Sequence, residues 1–207
     1  MSNEVKLTVE ELADNAMLND AIIYAVQKHR DGLRKGTKTP YIVHPLEVML
    51  ILQQMGADVQ LLAAGLLHDT VEDTDATLED ISKKFGQDVA ALVASHTEDD
   101  KSHYTKEQEI ASWRARKEKA LMHLAAAGKR EKMLVLADKL ANMRAIARDY
   151  ARLGDELWSR FNKGREDQSW YYYAGAEALS TLAGASATGV AYKEFYSLIE
   201  QVFGSKD

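Results

Sequence analysis

The chain has 207 residues, 26 basic against 32 acidic for a formal net charge of −6, and no cysteine. That length fits one domain with a substantial core, while the acidic balance argues against a surface that coats nucleic acid. The absence of cysteine excludes disulfides and thiolate metal sites, and no apolar run approaches the ~18 residues needed to span a membrane.

Thr8-Val9-Glu10-Glu11 has the form of a capping box, and Leu12, Ala16, Ile22, Ile23 and Val26 carry helical periodicity toward Arg30, in one or two segments. A polar loop with Gly32 and Gly36 follows, and His29 near its start reads as a surface or capping residue. His44-Pro45 opens the next helix, since proline lacks only an N–H that a first turn leaves unused. Leu46 to Leu52 is apolar on nearly every side, which predicts a central helix closed by Gly56. Asp58 can cap a helix from Val59 to about His68, and Thr77 to Phe85-Gly86 reads as another.

The apolar stripe Val89, Leu92 and Val93 marks a helix from Asp88 to Ser95. From His96 to Gln108 the pattern is a polar break, which makes His96 and His103 loop residues. Trp113-Arg114-Ala115-Arg116-Lys117 begins or lies within a long helix ending near Gly128. Glu131 to Arg152 forms the next, with Asn142 one turn beyond Asp138 and Arg144, Arg148 and Arg152 as a solvated stripe or partners of Asp149 and Asp155. Gly154 ends it, and a last helix runs from about Val190 to Phe203. With no strand pattern and only two prolines, the fold class is all-α.

Chemistry concentrates in Leu66-Leu67-His68-Asp69-Thr70-Val71-Glu72-Asp73. A continuous helix there would place the imidazole and three carboxylates on one face, and carboxylates crowded in a dry interior need a cation. His44, after Pro40-Tyr41-Ile42-Val43, and Asp138, inside Met133 to Leu140, complete a set of two nitrogens and two carboxylates. Such a set suits manganese, iron, zinc or magnesium.

Arg34-Lys35 with Pro40-Tyr41-Ile42-Val43-His44-Pro45, His68-Asp69-Thr70-Val71-Glu72-Asp73-Thr74-Asp75, and Leu136-Ala137-Asp138-Lys139-Leu140-Ala141-Asn142-Met143-Arg144 resemble, in order, the HD-superfamily hydrolase domain of the RelA/SpoT homologues. The likeness is to the stand-alone small alarmone hydrolases and covers about residues 21–175. It implies one HD hydrolase domain over 1–207, without the synthetase or regulatory modules of the long relatives.

The resemblance implies hydrolysis of the 3′-diphosphate of guanosine tetra- or pentaphosphate to GDP or GTP and pyrophosphate by a metal-activated water. It implies one Mn2+ per chain, held by His44, His68, Asp69 and Asp138, with Glu72 and Asp73 as the catalytic acids. Arg34, Lys35, Asn142 and Tyr171 are the implied nucleotide contacts, Lys163 or Arg165 border the diphosphate, and the basic turn at Arg114 to Lys117 faces the cleft. The loop 36–39 differs in length from several relatives, so adenosine alarmones, NADPH or another nucleotide phosphate stay open as substrates, as does a silent nucleotide-binding module. The expected partner is a small nucleotide rather than nucleic acid or membrane, in a cytoplasmic monomer or homodimer.

Overall fold

Side-chain caps set the starts of four helices, at Thr8, Asp58, Thr77 and Thr105, and an apolar helix buried on every side sets the centre. The computed structural model describes residues 8–97, 104–184 and 186–205. Helix α1 (Val9–Lys28) starts at the Thr8–Glu11 capping box and runs unbroken as one segment. After it, an isolated antiparallel bridge between Leu33 and Pro40 closes the loop that leads to α2 (Val43–Gln54). Gly56, at φ +76°, turns the chain, and Asp58 caps α3 (Val59–Leu67) by accepting from the Leu61 amide at 2.9 Å.

A four-residue α4 (Thr70–Asp73) precedes α5 (Leu78–Phe85) and α6 (Gln87–His96). Helix α7 (Lys106–Ala126) begins well before the expected basic turn, because Thr105 and Gln108 form a capping box inside the polar break. Residues 98–103 of that break, His103 among them, lie outside the described residues. Helix α8 (Lys129–Leu153) leads through a 3-10 turn (Gly154–Arg160) to α9 (Arg165–Ala178), and α10 (Ala187–Phe203) starts three residues before the expected Val190.

Every residue of α3 from Leu61 to Leu67 is buried, so this helix has no solvent face. Helix α8 packs against α2, α3, α6 and α10, and its long apolar side fills the middle of the core. The described residues form no strand, and none of their helices is long and apolar enough to cross a membrane.

The arginine stripe on α8 divides. Arg144 is half-buried between Glu47 of α2 and Glu194 of α10, its Nε 2.6 Å from Glu194 Oε1, instead of pairing with the nearby aspartates. Arg152 does reach Asp149 at 3.4 Å. Because Arg144 joins three helices, Arg144→Ala is expected to cost about 1–2 kcal/mol, more than an isolated surface pair. At ~2–4 °C per kcal/mol for a chain of this size, thermal unfolding should shift down by a few degrees.

Candidate active site

Four helices meet around one polar centre. Helix α2 brings His44 in its first turn, α3 ends at His68 and Asp69, α6 ends at His96, and α8 brings Asp138 from its middle. The expected continuous helix through His68 to Asp73 does not form. His68 Nδ1 donates to the Gly65 carbonyl at 2.8 Å and Thr70 Oγ1 to the Leu67 carbonyl at 2.7 Å. These side chains take carbonyls that a continuing helix would give to backbone amides, and the chain turns there.

The turn points His68 Nε2 at the acids. It lies 2.9 Å from Asp69 Oδ2 and 3.9 Å from Asp138 Oδ1, yet it is fully buried and has no aligned hydrogen-bond partner among the described residues. His44 Nε2 is 3.2 Å from Asp138 Oδ1 and 3.6 Å from Asp69 Oδ2. Tyr41 donates to Asp69 Oδ2 at 2.6 Å, and Asn142 Nδ2 to Asp138 Oδ1 at the same distance. His29 caps α1 as expected but is buried, its ring tilted 32° against that of Tyr41 with centroids 4.7 Å apart.

Burial alone would push the His68 imidazole down, but Asp69 and Asp138 outweigh it and raise the group to about 9. Burial would likewise raise the two aspartates, and the surrounding imidazoles hold both below the usual carboxylate range. The chain alone thus uses a proton to offset the buried carboxylates. A divalent cation does the same with more charge, and His44, His68 and Asp69 lie close enough to share one. The orphaned His68 Nε2, its tautomer fixed by Gly65, is the donor such an ion needs.

This centre floors a cleft of about 940 Å³, a size suited to a nucleotide-like ligand. Glu72 and Asp73 stand on one wall, and the Asp73 carboxyl is pushed up by burial and by the charge of Asp69. Arg34, Asn142 and Tyr171 also line it, with Arg34 donating to Asn142 Oδ1 at 2.6 Å. Lys35 is exposed and outside the lining. Lys163 and Arg165 are also outside it, for Arg165 is tied to the carbonyls of Val202 and Phe203 at the end of α10. The basic turn of α7 does reach the cleft, through Arg116 and Lys117.

Three lining residues were missed as site residues. Tyr41 and Lys139 lie in the sequence motifs themselves, and His96 is the last helical residue of α6 rather than a loop residue. Lys139 is buried, its Nζ 2.6 Å from the Tyr171 hydroxyl and 4.0 Å from the ring centroid, and the described residues place no carboxylate within salt-bridge distance. Burial would raise the Tyr171 phenol, but the Lys139 charge lowers it.

The sequence profile of the HD domain matches residues 21–168. The chain is 38% identical over 178 residues to the guanosine-3′,5′-bis(diphosphate) 3′-pyrophosphohydrolase MESH1 of Xenopus tropicalis, covering 84% of this chain and 89% of the relative. The Danio rerio protein of the same name is 35% identical over the same shares. Among solved structures, a metazoan SpoT orthologue, described as hydrolysing ppGpp and acting in starvation responses, superposes with a TM-score of 0.69 at 30% identity. That match covers 92% of this chain and 97% of the other.

Proposed function

Because the chain belongs to the HD-domain family, with MESH1 hydrolases as relatives along most of its length, we propose that it is a metal-dependent 3′-pyrophosphohydrolase of guanosine tetra- and pentaphosphate. The observation that carries this reading is the buried two-histidine, two-aspartate centre at the floor of a cleft with acids on one wall and cations on another. His44, His68, Asp69 and Asp138 would hold the ion, Mn2+ in our assignment. Bound there, it polarises a phosphoryl oxygen and lowers the pKa of a water toward about 7.

The chain's own groups do the rest. Glu72 and Asp73 take a proton from the attacking water and return one to the 3′-oxygen as its bond to phosphorus breaks and pyrophosphate leaves. The raised Asp73 carboxyl suits it to holding that proton. Tyr41 fixes the Asp69 carboxylate by donating to it, and Asn142 does so for Asp138. Arg34 and Lys139 offset phosphate charge, and the guanidinium fork of Arg34 also suits the nucleotide.

A buried ammonium whose one hydrogen-bond partner among the described residues is a phenol gains most from an anionic ligand. Lys139→Met should therefore raise KM about tenfold or more, the loss of one charge-assisted bond, in steady-state kinetics. The reading itself is tested by incubating manganese-loaded protein with guanosine tetraphosphate and, separately, its adenosine counterpart, and resolving products by anion exchange. GDP and pyrophosphate are the expected products. Absence of both overturns the assignment, and faster release from the adenosine compound overturns the guanine preference.

A further inference from the structure

His96, the last residue of α6, stands beside the metal centre. Its ring packs edge-on against His68, centroids 4.9 Å apart at 80°, and its side chain is 14% exposed. Nδ1 is buried with no hydrogen-bond partner among the described residues, and Nε2 comes to 3.8 Å from Asp138 Oδ2, too long for a hydrogen bond. A buried imidazole nitrogen without a partner needs a reason. The ligand-capable atoms of His68, His96 and Asp138 all lie within 4.8 Å of one another, as do those of His44, His68 and Asp69.

These two triads describe one ion rather than two. His68 belongs to both, and its Nδ1 is committed to the Gly65 carbonyl, so only Nε2 is left. An imidazole nitrogen has a single in-plane lone pair and cannot serve two metals. Ligand atoms about 2.1 Å from a common ion are separated by roughly 3–4.3 Å, and the separations within each triad, no more than 4.8 Å, come near that range.

The geometry points to His96 as a fifth protein ligand of the single divalent ion, making a shell of three imidazoles and two carboxylates. This rests on the metal-hydrolase reading above and extends it to the number of residues that hold the ion. An added nitrogen donor strengthens binding of Fe2+, Co2+ and Zn2+ more than that of Mn2+. In a six-coordinate ion it leaves one position for a water or a phosphoryl oxygen.

The test uses the full chain stripped of metal and titrated with Co2+, followed by visible absorption. The unmodified protein should take one equivalent, and His96→Val should weaken Co2+ binding by at least about tenfold, Mn2+ binding less, with a changed spectrum. Paramagnetic NMR of the unmodified cobalt protein gives a readout independent of how the variant folds. Three shifted imidazole N–H signals support the assignment, and two overturn it. Wild-type affinity and spectrum in His96→Val, or two equivalents bound by the unmodified chain, overturn it while leaving the proposed hydrolase standing. No cobalt or manganese binding at all overturns both.

Discussion

Asp138→Asn should abolish turnover, lowering kcat/KM by about 10³-fold or more, beyond the 10–100-fold typical of residues that only orient a ligand. The substitution is nearly isosteric, and the 2.6 Å bond from Asn142 Nδ2 can persist to the remaining carbonyl oxygen. What disappears is one of the two buried carboxylate charges against which a divalent ion balances its lost hydration. In the metal-free protein the change should cost some stability, since the surrounding imidazoles that hold the Asp138 carboxyl below its usual range lose the charge they stabilise. Melting of the metal-free variant within a few degrees of the wild type, with little manganese retained, would place the loss at the ion. Full turnover with bound metal would remove Asp138 from the site.

Gly65→Val should do the converse, damaging fold and site together. A Cβ at Gly65 would lie 2.5 Å from Leu52 Cδ1 and 3.5 Å from Val48 Cγ1, side chains of α2 with no exposed surface into which to retreat. Overpacking of this kind costs about 1–3 kcal/mol, and β-branching in a helix adds to it. At ~2–4 °C per kcal/mol, unfolding should shift down by roughly 4–10 °C. Pushing α2 off α3 also separates His44 from His68, so metal affinity should fall with stability. Leu52→Ala opens the space in question, and in the double variant the two losses should add to less than their sum. Strict additivity would show that Leu52 is not what Gly65 accommodates.

Local chemistry was legible where its partners are near in sequence. Thr8, Asp58 and Thr77 cap helices as their spacing implied, and Pro45 sits in a first turn. The ordered motifs carried His44, His68, Asp69 and Asp138, which the fold gathers from three helices. Three features depended on tertiary packing. The break after Leu67 follows from where the His68 and Thr70 side chains find acceptors. His96 looked like a loop residue because the polar run after it hides that α6 packs against α3 and α8. Arg165 looked like a phosphate ligand, and only the position of α10 shows that its guanidinium is held by backbone carbonyls.

The aromatic wall of the cleft gives the protein an optical reporter of its own. Trp113 packs edge-on to Tyr171 at 5.9 Å and to Trp170 at 6.2 Å, and Tyr171, whose hydroxyl receives Lys139, lines the cleft. The third indole, Trp158, stacks on Phe203 at the end of α10, with Phe203 and Tyr172 between it and Tyr171. A nucleotide that draws Lys139 away from Tyr171 alters the polarity beside Trp113 more than that beside Trp158. Cleft occupancy can therefore be followed by intrinsic fluorescence quenching, without label or turnover, in variants too slow to assay by product.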